Sequence, residues 1–299
     1  MGMTKYEFAQ GERQLTLELS LPGDLRQQFA NAPRSYHYTG TMPKDWKTSY
    51  FAMFLEHKSD QPILKGLLAA LLRAGNAKDN DDLAAVAVAF VQSAIAYDWK
   101  TAYQITGGRI RYPGETLLDA MGVCADKTIL LAALLRQLGF GLAILSWERA
   151  NHMALGIKVP GGYGNFGTPF AMVETTAVTP IGKVPERYAG GIKLDVRPEV
   201  VELKGGNTPY EGIIGLRKQE QELQRQFGAE YLAMPPAQQA LFREMQPLKT
   251  EMEALAEKLK ACSGNLPPAK YAECQSLHAQ HNAKVKQYNA LVSKFNAVK

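Results

Sequence analysis

One stretch constrains this chain more than any other: a strongly apolar helix beginning near Cys124, followed without a long break by three strand-like runs. Leu130, Leu131, Leu134, Leu135 and Leu138 recur at helical spacing, and Gly139 suits the position just past the last turn. The runs 141–147, 152–159 and 170–176 then carry strand character. A helix leading into a β-meander predicts an α+β unit, with the Cys-bearing helix packed on an antiparallel sheet.

The rest of the chain is organised around that unit. Residues 1–58 form a β-containing entry segment, in which Leu15, Leu17 and Leu19 share one strand face. Residues 59–209 hold the α+β core. Ile63, Leu64, Leu67, Leu68, Leu71 and Leu72 mark its first helix, and Asp79 to Asp82 supply N-caps for a second helix beginning at Leu83. Residues 210–299 turn polar and helical. Leu241, Met245, Leu248, Met252, Leu255 and Leu259 make a heptad seam in which Pro247 marks a kink or a fresh start. After Pro267 and Pro268, a second seam runs through Cys274, His278, His281, Val285, Tyr288, Val292 and Phe295. Two seams joined by a short turn predict an antiparallel helical hairpin, and residues 236–299 are the candidate surface for a homodimer or a docking partner. Cys262 and Cys274 are centred on Pro268, so they face each other if the hairpin forms. A disulfide there would contribute roughly 3 kcal/mol. Two buried thiols are the alternative.

Composition narrows the function classes. With 46% hydrophobic and 21% charged residues, the 299-residue chain is ordinary globular material. Its 34 Lys and Arg against 29 Asp and Glu give a net charge of only +5, too little to indicate a nucleic-acid partner. Three cysteines without a C-x-x-C pair argue against a structural zinc site. The longest apolar run, 83–96, is too short to span a bilayer and is broken by Gln92 and Ser93. The start, Met1-Gly2-Met3-Thr4, lacks the basic and apolar regions of a signal peptide. Its doubled Met reads as a replaced start and leaves room for a removed leader. With a Cys262–Cys274 disulfide, this would suit an exported or periplasmic protein, with the cytoplasm still open.

Cys124 lies in Gly122-Val123-Cys124-Ala125-Asp126-Lys127, at the first turn of its helix. Free N–H groups and the helix dipole there favour a thiolate. His152 opens the second strand run and Glu174 lies on the third. A hairpin centred on Tyr163, inside the glycine-rich loop 160–167, would set the two directly opposite with Cβ atoms about 5 Å apart. Glu174 would then orient the imidazole for a thiol delivered by the helix, the nucleophile–base–orienter arrangement of acyl transfer. The plainer readings are a buried thiol, a satisfied strand-end histidine and a surface carboxylate. A Cys-His-Glu zinc site is a lesser alternative.

Tyr112-Pro113-Gly114-Glu115-Thr116-Leu117, Gly122 to Lys127, His152-Met153-Ala154 and Val173-Glu174-Thr175-Thr176 together resemble the bacterial and archaeal transglutaminase-like cysteine peptidase superfamily, over roughly residues 60–190. The resemblance implies a papain- or transglutaminase-like core with Cys124 as nucleophile, His152 as general base and then acid, and Glu174 as the orienting group. It also implies Gln92 as a candidate oxyanion donor. Relatives often carry acidic residues on both sides of the Cys, where Val123 and Ala125 stand here, and Asp where this chain has Glu174. The implied activity is hydrolysis of an amide in a protein or peptide through a thioester, needing no metal or organic cofactor. The alternative is a catalytically silent scaffold that binds partners through its C-terminal hairpin.

Overall fold

The leucine alternation near the start has the burial a strand requires: Leu17, Leu19 and Leu21 are buried, while Thr16, Glu18 and Ser20 face solvent. β1 (Gly2–Gln10) and β2 (Arg13–Leu21) pair antiparallel, with Gln10 opposite Arg13 across a two-residue turn. The computed structural model describes residues 2–103, 109–185, 188, 193–194, 196–262 and 267–298. They divide into two units, Met1–Leu216 and Arg217–Lys299.

In the first unit, α1 (Leu25–Ala30) and α2 (Trp46–Leu55) precede α3 (Asp60–Gly75) and α4 (Asn80–Ala94). The α3 stripe is buried except for Leu72, which turns to solvent. Asp79 caps α4, its carboxylate accepting from the Asp82 N–H at 2.8 Å. The short β3 (Ala96–Tyr97) leads through α5 (Trp99–Ala102) to α6 (Pro113–Asp119). β3 runs parallel to β4 (Met121–Gly122), which feeds directly into α7 (Cys124–Gln137). Every residue of α7 from Asp126 to Leu135 is buried. From Ile129 to Leu135 the helix is apolar on all sides and must lie inside, and truncating one such leucine to alanine costs about 2–5 kcal/mol. The helix that begins at Cys124 is therefore held as core.

β5 (Leu142–Trp147), β6 (His152–Lys158), β7 (Phe170–Val173) and β8 (Glu199–Leu203) form one antiparallel sheet in the order β7-β6-β5-β8. Helix and antiparallel sheet make the unit α+β. Both faces of the sheet are covered. Ile144, Leu155, Ile157, Ala171 and Val173 join the main core, while Leu145, Trp147, Ala154 and Met172 pack on the other side.

The sheet corrects one expectation. Lys158 pairs with Phe170 and Leu155 with Val173, so the β6–β7 hairpin is centred on Gly164 rather than Tyr163. The close backbone approach at this centre requires glycine: a Cβ at Gly164 would sit 1.9 Å from the Thr168 carbonyl oxygen. Extending the register sets Glu174 level with Ala154, two residues from His152 rather than opposite it. A shift of two keeps side-chain parity, so both still project to one face.

The second unit contains α9 (Ala229–Ala233), α10 (Pro236–Leu259) and α11 (Pro268–Ala297), after α8 (Gly212–Phe227) has crossed the boundary. α10 runs unbroken through Pro247, so of the kink or fresh start expected there the fresh start does not occur. On α11 the covered stripe passes through Leu277, not His278, which is exposed. Gln238 meets Phe295, Glu251 meets Lys284, and Cys262 is disulfide-bonded to Cys274, so residue numbers fall along one helix as they rise along the other.

Candidate active site

Cys124 is the first residue of α7, and the strand before it explains why it sits there. A Cβ on Gly122 would lie 2.7 Å from the Cβ of Asp126, so only glycine lets β4 close on the helix start. Asp126 is not at the reacting end. Its buried carboxylate accepts from the Val123 N–H at 3.0 Å and from the Arg111 N–H at 2.8 Å, pinning the residue before Cys124. Arg111 also pairs with Asp98 at 2.7 Å, and its guanidinium holds the Asp98 carboxyl down at about 2. The Asp98 N–H in turn donates to the Gly122 carbonyl.

His152 and Glu174 come together despite the register. Nε2 of His152 lies 2.9 Å from Oε2 of Glu174, whose side chain is wholly buried. The other carboxylate oxygen accepts three hydrogen bonds, from the Thr175 N–H (2.9 Å), the Thr176 N–H (2.7 Å) and the Thr176 hydroxyl (2.7 Å). Burial alone would raise this carboxyl; His152 and Thr176 outweigh it and hold Glu174 below the usual range. Burial likewise works against the imidazolium of His152. A hydrogen bond with Cys124 and the bond and charge of Glu174 overcome it, raising His152 to about 9. The His152 ring lies 4.7 Å from the Tyr188 ring and 6.2 Å from that of Trp147.

Half-buried Cys124 opens on a cleft of about 350 Å³ whose walls include His152, Trp147, Lys47 and Glu199. Lys47 on α2 and Glu199 on β8 close its far side with a 2.6 Å ion pair. Gln92 does not reach this cleft as an oxyanion donor. Its Nε2 donates to the carbonyls of Glu174 (2.8 Å) and Thr179 (2.9 Å), which uses both amide protons. The group beside the Cys124 N–H is the Tyr97 hydroxyl, which accepts from it. Burial, then the charges of Cys124 and Glu174, push this phenol up to about 12. Among the described residues, no three His, Cys, Asp or Glu side chains group to hold a metal, and no helix is long and apolar enough to cross a membrane.

Residues 67–166 match the family model described as "Transglutaminase-like domain". Over that span the chain is similar to a transglutaminase-like domain. Members of that superfamily are often cysteine hydrolases. No curated protein and no solved structure matched the chain. Cys124 and His152 fall inside the matched span of the transglutaminase-like domain, and Glu174 lies just beyond it.

Sequence reasoning missed several contributors within and beside this domain. Tyr97 carried no signal beyond being an aromatic residue after an apolar helix. Thr176 had one: a threonine two residues after a carboxylate readily returns a hydrogen bond to it. Lys127 reads as an ordinary helix charge in sequence. Instead it is buried, with Nζ donating to the carbonyls of Ile95 (2.6 Å) and Gln92 (3.3 Å) at the end of α4.

Proposed function

We propose that this chain is a cysteine peptidase or amidase with a papain-like core, working through Cys124, His152 and Glu174, with a C-terminal helical hairpin appended. The observation that carries the reading is the buried Glu174 carboxylate bonded to Nε2 of a His152 that lines one cleft with Cys124. With Nε2 engaged, Nδ1 is left for the thiol. An imidazolium that persists to about pH 9 is the partner a thiolate requires at neutral pH.

In this mechanism Cys124 Sγ attacks the carbonyl carbon of an amide. The Tyr97 hydroxyl, which itself accepts from the Cys124 N–H, donates to the oxyanion. His152 gives its proton to the departing amine as the C–N bond breaks, leaving a thioester on Cys124. His152 then takes a proton from water, which attacks the thioester; the C–S bond breaks, the acid leaves, and Cys124 is restored as the thiolate beside the His152 imidazolium. Gln92 serves by holding the backbone of Glu174 rather than by touching substrate. The Cys262–Cys274 disulfide fits work in an oxidising compartment.

Mass spectrometry of a mixed peptide pool incubated with the protein tests this. Cleavage that disappears in Cys124→Ala, with an acyl adduct trapped on Cys124 of the wild type, is expected. No Cys124-dependent cleavage, together with iodoacetamide alkylation no faster below pH 6 than that of an ordinary thiol, would overturn it.

A further inference from the structure

A second concavity adjoins the Cys124 cleft. It measures about 560 Å³ and shares Ser146, Trp147, Glu148 and Glu199 with the 350 Å³ cleft, so the two form one continuous surface. Strand register explains the continuity. Trp147 pairs with His152 on one side of β5, and Ser146 pairs with Glu199 on the other, so the second groove begins one residue pair from the imidazole. The Trp147 indole N–H donates to the Val196 carbonyl at 2.8 Å, tying the segment that carries Arg197 to β5.

The groove's charge is one-sided. Arg149, Lys193 and Arg197 line it, all exposed, and none has an ion-pair partner among the described residues. Glu199 is already neutralised by Lys47, which leaves Glu148 as the opposing charge among the described lining residues. Surface cations normally point into bulk water. Three on one concave wall, against one free anion among the described lining residues, make a field that attracts anions, and two guanidinium groups suit the two oxygens of a carboxylate.

We propose that this groove is a substrate subsite for a carboxylate, which Arg149, Lys193 and Arg197 bind while the neighbouring amide lies at Cys124. The preferred substrate is thus a peptide carrying an acidic side chain or a free main-chain carboxylate within a few residues of the scissile bond. This rests on the reading of Cys124 as the nucleophile and adds to it the substrate class.

Cys124 alkylation by matched electrophilic peptides at low ionic strength tests the proposal on the full chain. Acetyl-Ala-Glu, acetyl-Ala-Gln and acetyl-Ala-Lys chloromethyl ketones place the charge before the electrophile. Bromoacetyl-Ala-Glu amide, bromoacetyl-Ala-Gln amide and bromoacetyl-Ala-Gln with a free terminus place it after; against the neutral second probe, the first reads a side-chain carboxylate and the third a main-chain one. In at least one series the anionic probe should react roughly five- to tenfold faster than the neutral one, the lysine probe being slowest where the chloromethyl ketones show the preference, and the gap should shrink with added salt. The ratio should collapse in Arg149→Gln/Arg197→Gln and persist in Lys65→Gln, a distant exposed cation on α3. Equal rates for anionic and neutral probes in both series, or a preference that survives the double variant, would overturn the subsite. Neutral-probe alkylation no faster than that of the same thiol in urea would count instead against the nucleophile, because the charge ratio is read independently of the absolute rate.

Discussion

The side-chain amide of Gln92 donates to the main-chain carbonyl of Glu174 at 2.8 Å, so α4 fixes the backbone of the residue whose carboxylate meets His152. Replacing Gln92 by Leu leaves that buried carbonyl and the Thr179 carbonyl without their donor. Urea unfolding should show a loss of about 1–3 kcal/mol. Cys124 alkylation near pH 6 should slow as well. Unchanged stability and reactivity would show that these bonds do not position Glu174.

The Glu174–His152 pair should give stability a particular pH dependence. His152 is raised to about 9, so its contribution is complete below its ordinary value near 6.5 and is lost as pH rises through about 9. Glu174→Gln removes the charge of one of the two partners, Cys124 and Glu174, that raise it. Breaking such a buried pair costs about 3–5 kcal/mol. The stability difference between wild type and variant should be largest near pH 6 and clearly smaller at pH 9.5. A difference that stays constant over that range contradicts the pairing.

Lys127 works in the opposite sense. Burial lowers it to about 8, so carrying its charge costs stability in full below pH 8. That cost is relieved as pH rises towards the unfolded value near 10.5, because the folded state gives up the proton first. Wild type should therefore gain on Lys127→Met by a few kcal/mol, in order of magnitude, between pH 8 and 10.5. Denaturant titrations of both proteins at matched pH would reveal a flat difference if the ammonium is not desolvated.

The Cys262–Cys274 disulfide should matter to the second unit. Cys274→Ala removes the link between the end of α10 and the start of α11. A loss of about 2–4 kcal/mol is expected, read as a lower thermal midpoint of the helical circular-dichroism signal. An unchanged midpoint in the variant would mean that seam packing alone holds the two helices.

The sequence made parts of this arrangement legible through periodicity. The leucines of α7 and the alternation on β6 and β7 announced a Cys-bearing helix against a hairpin, and parity carried His152 and Glu174 to one face even with the register two residues out. What stayed illegible had no local period. α2 is a run of aromatic and mixed residues without a stripe, and β8 is five residues long; these two unread elements bear Lys47 and Glu199, the far wall of the cleft. Gln92 was the natural oxyanion candidate because a neutral amide suits the task, but nothing local reveals that two carbonyls distant in sequence already use its protons. Pro247 shows the limit of a local rule, since α10 continues through a residue that usually interrupts a helix.

Arg111 gathers Asp98, Asp126 and Asp119 around one guanidinium, at 2.7, 2.9 and 3.4 Å. The start of the Cys124 helix is thus secured by a hub rather than by a chain of separate links, and a hub fails all at once. Deleting that one cation would leave three carboxylates crowded together with mutual repulsion, at the place where the thiol has to be aimed. Damage should therefore appear as lost aim before lost fold: a protein still built around its leucines, with a nucleophile that no longer meets its base.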